Sequence, residues 1–81
     1  MTLLRYLNGY DRDTELQRFS MTIPTDRLGM VKSIVPLNKD DPYAYYSYEL
    51  SDSQARSIAN IIKHVDLPSG LAFYLEACED D

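Results

Sequence analysis

Covalent catalysis needs a nucleophile within reach of a base, and the residues that could supply one are few in this chain of 81 residues. There is one histidine, His64, and one cysteine, Cys78. Neither stands in a recognisable catalytic signature. His64 reads as a residue in the last turn of a helix, where with Lys63 a cation complements the negative end of the dipole. Cys78 reads as an unreactive thiol, and as the lone cysteine it excludes an intrachain disulfide. One Cys and one His cannot complete a four-ligand zinc site. Asp11, Asp13 and Glu15 form an i, i+2, i+4 acidic series, which suggests a calcium loop. Arg12 interrupts it, and the glycine and terminal bidentate glutamate of such a loop are missing. The series reads instead as a turn whose aspartates bond their own backbone. The three glycines are isolated, so no phosphate-cradling loop is present. A non-enzymatic chain without metal or cofactor is expected.

What remains is the chemistry of recognition. The stretch "DDPYAYYSYELSDSQ", residues 40–54, places four of the seven tyrosines within six positions and frames them with carboxylates. Tyrosine offers large contact area at low entropic cost plus a hydroxyl, and aromatics concentrate at interface centres. Carboxylates alongside can pair with Lys or Arg on a partner, including the phosphate-binding residues of a nuclease. Asp40, Asp41, Tyr43, Tyr45, Tyr46 and Glu49 are therefore the candidate partner-binding residues. The other reading is that Tyr43 and Tyr45 cover the second face of a sheet or an oligomer contact.

The charge balance supports the first choice of partner class. A net charge of -5 and a pI near 4.6 oppose binding to phosphate backbones, whose affinity comes from neutralisation by Lys and Arg. The same sign steers the chain toward a basic protein. An apolar fraction of 44% with 26% charged residues is that of a folded globular chain. A domain of this size buries only about 60% of its unfolded surface, which leaves little for a deep active-site cavity. Residues 1–81 are expected to form one domain. No apolar run approaches the roughly 20 residues of a membrane span and the first residues lack a signal-peptide core, so a cytoplasmic location is expected.

The elements that must position these residues follow from pattern. Residues 2–10 and 15–23, separated by "DRDT", predict a β-hairpin with Leu4, Tyr6 and Tyr10 facing the core from the first strand and Phe19, Met21 and Ile23 from the second. Thr25 as a cap, Asp26, and Leu28, Val31, Ile34 and Val35 at helical spacing predict a helix that stops at Pro36. Residues 43–50 predict a strand with Ala44, Tyr46, Tyr48 and Leu50 inward and Tyr43, Tyr45, Ser47 and Glu49 outward. Ser51 and Gln54 have capping-box spacing and open a helix whose apolar stripe is Ala55, Ile58, Ala59 and Ile62. Residues 71–77 predict a last strand with Leu71, Phe73, Leu75 and Ala77 on one face, followed by a solvated acidic tail. The order ββαβαβ implies an α+β fold, a four-stranded, mainly antiparallel sheet with two helices on one face and the other face uncovered.

Gly9-Tyr10-Asp11, Asp41-Pro42-Tyr43, Tyr48 and Leu50 before Ser51-x-x-Gln54, and Tyr74-Leu75-Glu76-Ala77 together resemble a group of small, uncharacterised bacterial domains. In size, acidity and lack of catalytic groups the chain also resembles the immunity proteins of contact-dependent growth inhibition. That resemblance implies binding to the C-terminal domain of a cognate toxin, often a nuclease, and blocking of its active site or substrate approach. It transfers no residue-level motif, so the site rests on the acidic tyrosine stretch. The alternative of another class is a non-catalytic, self-associating module, a homodimer that hides the uncovered sheet face. Nucleic acid and membrane are not expected partners in either case.

Overall fold

The computed structural model describes residues 2–41, 44–62 and 66–80; of Thr2, Leu3, Glu79 and Asp80 only the backbone is described. Four strands, β1 (Thr2–Asp11), β2 (Gln17–Ile23), β3 (Tyr48–Leu50) and β4 (Leu71–Asp80), form one sheet in the order β2-β1-β4-β3. Every neighbouring pair is antiparallel. A 3₁₀ turn at Thr25–Arg27 leads into the short helix α1 (Leu28–Lys32), and α2 (Asp52–Ile62) joins β3 to β4. The expected α+β fold with the order ββαβαβ is the one observed.

Register assigns the faces. Leu7 lies opposite Met21 on one side and Leu75 on the other, Gly9 lies opposite Phe19 and Phe73, and Leu50 lies opposite Phe73. These residues share one face, and Leu7, Ile23, Leu50, Leu71, Phe73 and Leu75 form a single buried cluster with Val31, Ala55, Ile58 and Ala59 of the helices and Val35 just after α1. Both helices therefore cover the same side. The expected inward sets of β2 and β4 face this core, and Leu28 and Ile34 pack against its margin.

Three sequence expectations are corrected. In β1 the inward parity is that of Leu7 and Gly9, so Leu4, Tyr6 and Tyr10 lie on the uncovered face. Gly9 is the reason the pattern misleads: a Cβ there would stand 2.9 Å from Phe73 Cε1 and 3.0 Å from Leu71 Cδ1, so the position must stay bare for the ring to lie over β1. The third strand spans only Tyr48–Leu50, with Ala44–Ser47 irregular before it. The acidic end is no free tail, because Glu79 pairs with Leu3 and Asp80 with Thr2 in the central ladder.

Capping separates the two helices. The cap positions of the 3₁₀ turn and of α1 are Pro24 and Arg27, not Thr25, neither makes a side-chain capping bond, and α1 ends at Lys32, five residues long, short of Pro36. At α2 the capping box forms as expected: the Ser51 N–H donates to Gln54 Oε1 at 2.9 Å, and the Gln54 N–H donates to Ser51 Oγ at 3.1 Å. Gln54 Nε2 also donates to the Ile34 carbonyl at 3.3 Å, tying α2 to the segment after α1. Ser51→Ala should lower the unfolding free energy by about 1 kcal/mol, read as a shifted urea midpoint at constant slope. The Lys63 and His64 expectation lies outside the described residues.

Candidate functional site

The chain before β3 is organised by one carboxylate. Asp41 is 2% exposed. Its Oδ1 accepts the Tyr45 N–H at 2.7 Å, and its Oδ2 accepts the Tyr46 N–H at 3.0 Å and the Tyr48 hydroxyl at 2.6 Å. The Tyr48 oxygen in turn accepts the Asn38 N–H at 3.2 Å, and the Asp41 N–H donates to the Asn38 carbonyl at 3.0 Å. Burial is the largest influence on this carboxyl and pushes it up. The bonds from Tyr48, Tyr46 and Tyr45 and the charge of Arg5 outweigh it, and hold the carboxyl below its ordinary value.

This cradle explains why 44–50 is not one strand. The Tyr45 and Tyr46 N–H groups that would join a ladder turn instead to Asp41. Buried Ala44 takes φ +57°, a left-handed conformation that L-residues rarely adopt and that wraps the chain around the carboxylate. Asp41 is thus an internal scaffold and not the surface charge its sequence context suggests.

The remaining candidates divide between two places. Tyr45 and Tyr46 stand 54% and 47% exposed, two of the four large exposed hydrophobic side chains among the described residues. Tyr46 is therefore outward and not in the core as alternation had it, because the chain before β3 follows Asp41 and not a strand's pleat. The Arg5 guanidinium lies 5.1 Å from the Tyr45 ring centroid, within cation–π range. The Tyr46 hydroxyl donates to exposed Asp40 at 3.2 Å, and the Asp40 charge raises its pKa. Asp40, Tyr45 and Tyr46 therefore form one surface over the Asp41 cradle. Glu49 is exposed on the uncovered sheet face, opposite Tyr74 in the register, and does not join them. Tyr43 lies outside the described residues.

A second polar network, not anticipated from sequence, occupies the middle of the uncovered face. Glu76 Oε1 accepts the Tyr10 hydroxyl in a short hydrogen bond and Asn8 Nδ2 at 2.9 Å, while Ser47 Oγ donates to Oε2 at 3.5 Å. Asn8 Oδ1 is the buried side-chain polar atom left without a partner among the described residues. The signal was present as shared parity: Asn8 and Tyr10 alternate on β1 as Tyr74 and Glu76 do on β4. Donation to Glu76, with burial and the Glu76 charge adding to it, pushes Tyr10 up to about 12.

The Tyr10 phenol is thus favoured more in the folded chain than in the unfolded one. Its stabilisation is complete below the ordinary value of 10.0 and is lost as pH rises through about 12. Site-resolved NMR titration of the tyrosine Cζ resonances should show Tyr10 ionising near 12, and Glu76→Gln should return it toward 10.0. Ionisation of Tyr10 at the ordinary value in the wild-type chain would refute the pairing.

The acidic hairpin turn has a structural role. Asp11 Oδ1 accepts the Asp13 N–H at 2.8 Å and the Thr14 N–H at 2.9 Å, and Glu15 takes φ +63°. The Thr14 and Asp13 bonds hold the Asp11 carboxyl below its ordinary value. This is the self-bonded turn expected from the sequence. Among the described residues no cluster of three or more His, Cys, Asp or Glu is arranged to hold a metal ion, and no helix is long and apolar enough to cross a membrane. Cys78 is exposed on the uncovered face, opposite Leu4.

Comparison with known proteins adds a family and no activity. No curated protein and no solved structure matches the chain significantly. Residues 4–78, which run from β1 to β4 through the Asp41 cradle and both helices, match one family model. The chain belongs to the family described as a domain of unknown function, DUF7683.

Proposed function

We propose that this chain is a non-catalytic binding protein that docks a basic protein domain on the surface of Asp40, Tyr45 and Tyr46. In its sharpest form the reading is an immunity protein that neutralises a nuclease-like toxin domain of the contact-dependent growth inhibition type in the cytoplasm. The observation that carries it is the pair of exposed tyrosines whose backbone is fixed on buried Asp41. Large side chains on a pre-ordered backbone lose little entropy on docking, which is how interface hot spots gain affinity. The net charge of -5 adds attraction to a basic partner.

The test is capture of partners by the immobilised chain at low and moderate salt, followed by kinetics and a growth-rescue assay with the captured domain. A basic toxin domain should be recovered. Asp40→Asn should slow its association at low salt, and Tyr45→Ala should mainly speed dissociation. Toxin neutralisation unaffected by both substitutions would reject the surface. Recovery of the bait alone, with a concentration-dependent mass by light scattering that Tyr45→Asp abolishes, would replace this reading with a self-associating module.

A further inference from the structure

The uncovered sheet face carries a concavity of about 340 Å³ at its hairpin end, walled by Tyr10, Ala72 and Tyr74 and rimmed by Glu49, Glu15 and Arg12. The volume lies at the low end of the range of small-ligand sites, roughly 300–1,000 Å³. We propose that it is a receptor for a single basic side chain, lysine or arginine, presented by a partner protein.

The Tyr10 and Tyr74 rings lie 5.7 Å apart with their planes at 76°, so the pair offers π-surface in two directions. The Tyr10 hydroxyl donates to Glu76, which fixes that ring and keeps it rich in electron density. Aromatic surface of this kind attracts cations. Two exposed carboxylates, Glu49 and Glu15, complete the negative rim, and among the described residues neither side chain is engaged in a hydrogen bond or ion pair. The other two charges at the site are already committed. Asp11, which also lines it, holds the turn through Oδ1, and Arg12 Nη2 donates to the Leu71 carbonyl at 3.1 Å. An apolar wall beside a negative rim suits a long alkyl stem that ends in a cation, with the stem along the rings and Ala72 and the head at Glu49 and Glu15. A neutral chain would leave the carboxylates unanswered, and a compact inorganic cation would leave the rings uncovered.

This site goes beyond the reading above and shares no residue with the Asp40, Tyr45 and Tyr46 surface, so failure of one leaves the other standing. The larger concavity, about 520 Å³ where α2 meets the loop before β4, brings Arg56 together with Asp52 and Asp66. Its opposed charges select no one ligand chemistry.

The experiment is an NMR titration of the full chain, followed at the tyrosine ring resonances, with the N-acetyl methylamides of lysine, arginine and norleucine. The lysine and arginine compounds should shift Tyr10 and Tyr74 with saturation in the low millimolar range, and norleucine, the uncharged counterpart, should bind at least about fivefold more weakly. Tyr74→Leu and Glu49→Gln should each weaken the lysine compound by about threefold, whereas Arg12→Gln, which removes a positive charge from the rim, should tighten it. Glu49 is exposed, so its variant keeps the test decisive if Tyr74→Leu unfolds. Absence of a saturable shift, or equal response to lysine and norleucine compounds, overturns the proposal. A free diamine such as putrescine binding tenfold tighter than the lysine compound overturns the assignment to a protein side chain and names a small amine as the ligand.

Discussion

Asp41→Ala should lower the melting temperature by more than about 10 °C, the largest loss expected from any single polar substitution in this chain. The change strands two backbone N–H groups and the Tyr48 hydroxyl, whose acceptors are the two oxygens of one carboxylate. Donors deprived of an acceptor cost more than a bond merely exchanged with water. It also leaves the left-handed turn at Ala44 without the side-chain bonds to Tyr45 and Tyr46 that follow it. Asp41→Asn should lose less than Asp41→Ala, since one oxygen remains, but its amide group faces donors and cannot accept from them. Asp40→Asn, on the exposed neighbour, should melt within about 2 °C of the wild type. Thermal unfolding followed by circular dichroism separates the three, and equal melting of Asp41→Ala and Asp40→Asn would dismiss the cradle.

The same carboxylate predicts a pH dependence. Because the folded Asp41 titrates below its ordinary 3.8, its stabilisation is complete above that value and is lost as pH falls through the folded one. Asp41→Asn has nothing to titrate there, so its stability should fall less steeply in acid than that of the wild type. A further consequence concerns binding assays: weakened docking in an Asp41 variant would report disorder of Tyr45 and Tyr46, so Asp40 is the clean probe of surface charge.

Gly9→Val should destabilise the chain by about 2–3 kcal/mol, through overpacking and not through backbone strain. A Cβ at this position is already within 2.9 Å of Phe73 and 3.0 Å of Leu71, and valine adds two methyl groups to that contact. Gly9→Ala should cost less, and Phe73→Leu in the Gly9→Ala background should recover part of the loss, with a coupling of about 1 kcal/mol in a double-mutant cycle. Gly29→Ala is the contrast. Nothing lies within 4 Å of its Cβ, so the substitution should stabilise α1 by about 0.5–1 kcal/mol. Additive Gly9 and Phe73 effects in urea unfolding would show that the ring does not depend on the bare position.

The two cases show where sequence reading succeeds and where it stops. Ser51 and Gln54 were legible because a capping box is local: the residues that satisfy each other stand three apart, and the helix they open carries its own apolar stripe. The inward faces of β2 and β4 were legible for the same reason, since alternation in Phe19, Met21 and Ile23 or Leu71, Phe73 and Leu75 needs no outside information. β1 defeats the method because its inward face includes a glycine whose space is filled by a ring from β4, while its outward face carries Leu4, Tyr6 and Tyr10 and looks the more apolar. Aromatic content at 43–50 promised a full strand, but the backbone donors there answer to a side chain. The hint lay in Asp41-Pro42, since an aspartate before proline favours a turn and bonds backbone that follows it. Of the candidate surface, Asp40, Tyr45 and Tyr46 lie together, but Tyr46 is exposed where alternation had placed it inward, Asp41 turns inward, and Glu49 parts from Tyr45 onto the uncovered face.

The placement of β1 and β4 side by side at the centre of the sheet carries a consequence in time. Asn8 and Glu76 meet across 68 residues of chain, and β1 has the most extensive pairing with β4, the last of the four strands of this sheet to be synthesised. During synthesis the β1–β2 hairpin must wait with one edge of β1 unpaired, its backbone donors and acceptors open to any extended segment. Contacts so distant in sequence slow folding, and an open edge invites wrong partners. The nascent chain is therefore most vulnerable to misassembly in the interval before β4 emerges, and a release of the stalled chain short of residue 71 should yield an aggregation-prone fragment rather than a smaller version of the fold.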